Sequence, residues 1–461
     1  MADYTIIIIG GGLSGLAAGI RAARFGLKVL IIEQHWQPGG LNSYYYRHGF
    51  LLETGLHAMT NYAPPSVKHA PLNRLFRQLK LSRKHFVIHE QLCSEVVFPG
   101  QSIAFSNDLS MLVDEIARAF PGYADNFLRL VEEVKLYDPF ALTPWRSTRE
   151  YLAGVLGNRQ LEDMILLPLM VYGNSEEYDM DLGQFVIMFQ AILLEGFFRP
   201  ERTIKEFLDM LVAHYKGFGG EIRYRAPVKS ILKKGDRVRG VVLDDGEEIM
   251  CEAVLSTIGL PGTARLADWP LDIRKYCGRM SFMETISMIP LARKGRVKND
   301  RTIIFYNNKP DLSYYRPSEA IEPSWGVICF PQNFMGLAET DPFQIRVTNA
   351  ANYDIWKELD KDEYTTLKKE SVDRSLEQVG KIIGNYHKDV VYTDSFTPLT
   401  IERFTSKVWG AVYGSPLKMK DGRTPYENLF IAGTDQGFLG IVGSMLSGVT
   451  IVNQHLLGEL S

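Results

Sequence analysis

An α/β fold of Rossmann type is what this 461-residue chain predicts, on three observations. Residues 6–33 read IIIIGGGLSGLAAGIRAARFGLKVLIIE, in the order strand, glycine turn, helix, strand. The second of those strands stops on an acid, Glu33. A further buried strand, turn and apolar helix follows near the other end, from Asn428 onward.

In the first unit each residue class has a physical task. Ile6 to Ile9 form the short β-branched run of a parallel strand covered on both faces. Gly10 allows the tight turn, Gly12 lets a pyrophosphate approach the backbone, and Gly15 lets the helix pack on the strand. Leu13 and Ser14 then open a helix whose free N–H groups and dipole favour phosphate. Leu16, Ala17, Ala18, Ile20, Ala22 and Ala23 make that helix small or apolar enough to lie on a sheet, and Gly26 ends it. Glu33 stands at the spacing from which an acid accepts hydrogen bonds from an adenosine ribose. Together these features predict a dinucleotide site.

Two segments follow, Gly39-Gly40-Leu41-Asn42-Ser43 and Gly49-Phe50-Leu51-Leu52-Glu53-Thr54-Gly55-Leu56-His57. With them the chain resembles the flavin amine oxidase and phytoene desaturase superfamily. The resemblance implies that the dinucleotide is FAD. It also implies that the glycine pair, with Leu41 and Asn42, passes the pyrophosphate, and that Thr54, Gly55, Leu56 and His57 line the flavin ring. Members often carry Arg or Lys after the glycine pair, where this chain has Leu41.

At the C-terminal station, Asn428 to Asp435 read as a strand ending on Gly433, followed by Gly437 to Gly443 and an apolar helix from Ser444. A helix N-terminus there, at Ile441, Val442 and Gly443, is suited to the negative charge that a reduced flavin gathers on its pyrimidine side. Asp435 is expected to accept hydrogen bonds from the ribityl hydroxyls. In the middle, Asp244-Asp245-Gly246 joins short alternating strands into a hairpin. The resemblance gives Val228, just before it, a backbone contact with adenine.

Thr397 to Phe404, Gly410 to Gly414, Thr54 to His57 and the glycines from Gly433 onward are most similar to the phytoene desaturase, carotenoid isomerase and retinol saturase group. Such a resemblance implies a Rossmann-type FAD-binding domain with an inserted substrate domain of mixed sheet plus helices. The expected division is 1–75, 215–262 and 396–461 for FAD, 76–110 and 263–395 for the substrate-domain sheet, and 111–214 for a helical insertion lining the substrate site. The implied activity is hydride transfer at flavin N5 that desaturates, saturates or isomerises C=C bonds of a hydrophobic isoprenoid or carotenoid-like lipid. His57, Glu402 and Asp435 are the titratable candidates for the accompanying proton. Each has a plainer reading: His57 packs beside the ring or orients a water, Glu402 pairs with Arg403 or Lys407, and Asp435 is a ribityl ligand. Amine oxidation and non-catalytic prenyl-lipid binding remain the alternatives on this architecture.

A single GxGxxG unit leaves no second Rossmann domain for a nicotinamide. Electrons are therefore expected to pass to or from oxygen, a quinone or a partner protein, unless an isomerase recycles them. A formal charge of −3 with interspersed signs excludes a nucleic-acid stripe. Cys93, Cys251, Cys277 and Cys329 lack metal or disulfide spacing. With no secretory pattern before the first strand, a cytoplasmic protein is expected.

Phe185 to Phe198, the longest apolar stretch, is too short to span a bilayer. It reads as a core helix or tunnel wall, with a monotopic, peripheral membrane surface as the alternative. Periodicity places Leu109, Leu112, Val113, Ile116 and Ala117 on one helix face; after a break at Pro121-Gly122, Phe127, Leu130, Val131 and Val134 lie on another. Strands are expected at 281–291, 302–306 and 325–330.

Overall fold

A computed structural model describes residues 2–458. Its first sheet has seven strands. Tyr4–Ile9 lies parallel to Val29–Ile32 on one side and to Glu248–Ser256 on the other. Glu221–Arg223 extends the parallel set beyond Val29–Ile32. The nine-residue strand Glu248–Ser256 serves two purposes. Its first half pairs antiparallel with Arg237–Leu243, and its second half takes Leu429–Ile431 in parallel register. The predicted hairpin is present, with Gly246 at φ +90° in its turn.

Close backbone approach holds helices on this sheet. A Cβ at Gly15 would stand 2.0 Å from the Gly10 carbonyl oxygen, so only glycine lets the helix Leu13–Ala23 begin directly behind the first strand. Gly448, on the helix Gly440–Ile451, plays the same part: a Cβ there would meet the Ser14 carbonyl at 2.1 Å. The C-terminal helix is thereby seated across the start of the first one. It begins at Gly440, four residues before the expected Ser444.

The second seven-stranded sheet runs in the order Tyr392–Phe396, Ser281–Ile289, Phe343–Ala351, Ile321–Cys329, Ile303–Asn307, Ser94–Phe98, Gln101–Phe105. The three strands expected from sequence are among them. Phe343–Ala351, third in that order, was not among the expected strands, although Phe343, Ile345 and Val347 alternate with Gln344, Arg346 and Thr348 as strand residues do. Arg346 and Asn349 are nonetheless buried.

Helices Leu109–Ala119, Ala124–Leu136, Thr148–Val155, Arg159–Gly173 and Leu182–Phe189 cover this sheet. Leu112 and Ile116 of the first, with Phe127, Leu130, Val131 and Val134 of the second, enter one core. The stretch Phe185 to Phe198 becomes a helix, a π-helical turn at Gln190–Leu194 and the strand Phe197–Pro200. Phe185, Phe189, Ile192, Phe197 and Phe198 are fully buried, so this segment is core and presents no membrane-facing surface. Each such side chain contributes about 1.5–3 kcal/mol of burial. Among the described residues no helix is long and apolar enough to cross a membrane. All four cysteines are free, and no group of His, Cys, Asp and Glu among the described residues could hold a metal ion.

Replacing Gly448 by Ala is expected to destabilise the protein by about 1–3 kcal/mol through overpacking against the Ser14 carbonyl, read as a lowered denaturant midpoint.

Candidate active site

A cavity of about 1380 Å³ runs from the first sheet to the second. At its first end the helix Leu13–Ala23 starts without any side-chain cap, its N-cap being Gly12, so its leading N–H groups are left for a ligand. A Cβ on Gly12 would meet nothing within 4 Å, since that position faces open space. The Ser14 hydroxyl is buried without a hydrogen-bond partner among the described residues. Glu33 borders the same end, where its carboxylate accepts from the Gly11 N–H at 2.7 Å and the His35 N–H at 2.8 Å. Each oxygen keeps lone-pair capacity for a hydroxyl. Uncapped helix, bare glycine, orphaned hydroxyl and shared carboxylate fit the pyrophosphate and ribose of FAD.

Gly39 and Gly40 turn through φ +117° and +57° to lay the next loop against Gly12. Thr54 ties that loop to the following one. Its hydroxyl donates to the Leu41 carbonyl at 2.7 Å and accepts from the Ser43 N–H at 2.9 Å. Gly55 is required there because a Cβ would lie 2.6 Å from Asn42 Oδ1. Arg199 anchors the end of this loop, donating to the Leu56 carbonyl at 2.7 Å and pairing with buried Glu53. Gly10, Leu13, Leu41, Asn42, Val228, Gly433 and Ile441 also line the cavity.

His57 is delivered by this loop to the face of the second sheet. Its Nε2 lies 2.8 Å from Glu284 Oε1, on the strand Ser281–Ile289. Arg346 Nε donates to the same oxygen at 2.8 Å, and the Thr348 hydroxyl donates to Oε2 at 2.6 Å. Register explains the cluster: Glu284 pairs directly with Thr348, and Arg346 is two residues along the same strand. Burial alone would raise the Glu284 carboxyl, but facing His57 and Arg346 overcome it and hold the acid at about 2. Val171, Tyr172, Phe282, Val327, Val412 and Leu439 form the apolar wall around this cluster.

The sequence profile of the flavin containing amine oxidoreductases matches residues 13–454. The chain belongs to that family. FAD is accordingly its cofactor, and it is a flavin-dependent oxidoreductase. Among curated relatives, the all-trans-retinol 13,14-reductase of Danio rerio is 24% identical, over 98% of this chain and 87% of its own length. A prolycopene isomerase of Daucus carota is 24% identical over 55% of this chain and 46% of its own. The lycopene-forming phytoene desaturase of Pantoea ananas is 24% identical over 56% of each. Of solved structures, an oxidoreductase from Methanosarcina mazei superposes with TM-score 0.67 at 16% identity, over 98% of this chain and all of that one. Putrescine oxidase bound to putrescine gives TM-score 0.64 at 17% identity, over 97% of both chains. At these identities the structural likeness is one of fold.

Several positions singled out in the sequence lie away from the flavoenzyme's cavity. Asp435 is buried beneath it, where Oδ1 accepts from the Ser415 N–H at 2.9 Å and Oδ2 from the Leu260 N–H. Burial would lift its pKa, yet Lys407, Lys418 and the two backbone donors hold it below the usual carboxylate range. It therefore fastens loops as a carboxylate and is not itself on the cavity wall, which Thr434 beside it lines. Glu402 is likewise off the wall. It accepts from the Tyr353 hydroxyl at 2.5 Å and the Trp409 N–H at 3.3 Å, rather than pairing with Arg403 or Lys407. Leu56 and Val442 are fully buried in the core. Gly15 and Gly443 serve packing, the latter against Phe438.

Sequence reasoning missed Glu284, Arg346 and Thr348. Their signal was the one charged residue in each of two strands, Glu284 in SFMETISMI and Arg346 in FQIRVTNAA.

Gly12→Ala is expected to change the unfolding free energy of the cofactor-free protein by no more than about 1 kcal/mol, as a Cβ there clashes with nothing. FAD retained through gel filtration should fall sharply in the same variant. Glu284 provides a pH signature. Its folded-state pKa is depressed, so the stability it contributes is present above the ordinary carboxylate value of 4.5 and is lost as pH falls toward about 2. Acid titration of unfolding should show that loss in the native protein and a shallower one in Glu284→Gln.

Proposed function

We propose that this flavoenzyme saturates, desaturates or isomerises C=C bonds of an isoprenoid or carotenoid-like lipid. The observation that carries the reading is continuity: one cavity joins the uncapped helix at Gly12 to a chamber walled by Val171, Tyr172, Phe282, Val327, Val412 and Leu439. Such a chamber accepts a long apolar substrate and excludes water from the reacting carbons. The retinol reductase, prolycopene isomerase and phytoene desaturase relatives support the same class.

Gly12, Leu13 and Ser14 hold the pyrophosphate in this reading, Glu33 holds the ribose, Val228 meets adenine, and Thr54, Gly55 and His57 border the flavin ring. Arg265 and Lys407 on the cavity wall stand in for the cation absent at Leu41. Bound FAD supplies hydride exchange with carbon. The chain aligns the substrate against it, and His57 exchanges the accompanying proton. Glu284, already engaged by three donors, is not left free to capture the cationic nitrogen of an amine.

In saturation or desaturation electrons pass to or from oxygen, a quinone or a partner protein; in isomerisation the reduced flavin is recycled with no net transfer. The test is an anaerobic mixture of chemically reduced and oxidised holoenzyme with retinoid and carotenoid polyenes, followed by polyene absorbance and product mass. A flavin-dependent change in the polyene is expected, while NADPH alone leaves the flavin oxidised and amines leave it unreduced. Unchanged polyenes with rapid flavin reduction by an amine would overturn the reading.

A further inference from the structure

We propose that Glu284, braced by Arg346 and Thr348, is a positioning residue that fixes His57 with its proton on Nε2 and presents Nδ1 to the cavity as the proton-exchanging atom. This deepens the function proposed above and rests on it for the use made of the proton, while the tautomer itself does not.

The geometry has a single consistent proton assignment. An ionised carboxylate only accepts, so the 2.8 Å contact between Glu284 Oε1 and His57 Nε2 needs hydrogen on Nε2. Neutral imidazole then carries its lone pair on Nδ1, which has no hydrogen-bond partner among the described residues, on a residue that lines the cavity. Glu284 is itself held from the other sides. Arg346 is 1% exposed, donates through Nε and has Nη2 buried with no partner, so its charge is directed at the carboxylate rather than dispersed in water. Thr348 fills a lone pair of the second oxygen. This is the arrangement by which an outer carboxylate sets the orientation and basicity of a working imidazole.

Other titratable groups near the cluster leave that assignment unchanged. On the helix Arg159–Gly173, Tyr172 is pushed upward by burial, as are Tyr413 and Tyr45, so all three face the cluster as neutral hydroxyls. Cys329, on the strand beyond Phe343–Ala351, is raised to about 12 by burial and stays a thiol. Asp394 approaches through Tyr45, and Arg199 is already paired with Glu53. Glu284 and Arg346 therefore balance each other.

The experiment is histidine-selective 15N and 13C NMR of the holoenzyme across pH, with His57→Gln used to assign one of the nine histidines. Neutral His57 should show hydrogen on Nε2 in the native protein. In Glu284→Gln, whose amide can either donate or accept, neutral His57 should lose that fixed tautomer and show hydrogen on Nδ1 as well. Thr348→Val, which keeps both charges, should retain the native tautomer. Polyene turnover should fall about 10²–10⁴-fold in His57→Gln. Hydrogen on Nδ1 in the native protein, or an unchanged tautomer population in Glu284→Gln, would overturn the proposal. The native tautomer is read without any variant, so a poorly folding Glu284→Gln leaves that arm decisive. Because it is also read without substrate, an inactive polyene assay with Nε2–H present would count against the substrate reading alone.

Discussion

The structure depends on backbone being brought into contact with backbone at the start of the first helix. Gly15 allows that helix to begin behind the first strand, and Gly448 allows the C-terminal helix to cross it at Ser14, each at a separation that no side chain permits. One consequence is geometric: two helix N-termini, at Gly12 and Gly440, open onto the same cavity. The other is electrostatic. Neither terminus has a side-chain cap, so both leave N–H donors and positive dipole ends for an anionic cofactor.

The second sheet supplies what the first cannot. Its strands wall an apolar chamber, and the pairing of Ser281–Ile289 with Phe343–Ala351 sets a carboxylate and a guanidinium side by side beneath it. Buried charges of this kind persist only when matched and hydrogen-bonded. Here the match is completed by His57, brought from the cofactor side by a loop that Thr54 and Arg199 hold in place. The cluster is thus the point at which the two sheets meet chemically.

Legibility in the sequence followed locality. The cofactor unit was readable because its strand, turn, helix and acid occupy one continuous stretch, each recognised by backbone geometry or burial. The helices carrying Leu112, Ile116, Phe127 and Leu130 were readable by period. Glu284, Arg346 and Thr348 were not, since their meeting is a matter of strand register between Glu284 and an Arg346 that lies 62 positions further along the chain. Asp435 shows the opposite limit. Its motif position was visible, but a short turn after Gly433 decides which neighbour faces the cavity, and it is Thr434. The apolar run at Phe185 read as core or tunnel wall with a membrane surface as the alternative, and packing buries it.

The most direct test of the account is a crystal structure of the holoprotein with a bound polyene. The account predicts FAD lying from Glu33 across Gly12 to Thr54, with the polyene against its ring in the chamber formed by Tyr172, Phe282 and Val327 and with His57 beside it. A polyene bound outside that chamber, or FAD whose ring points away from His57, would contradict it.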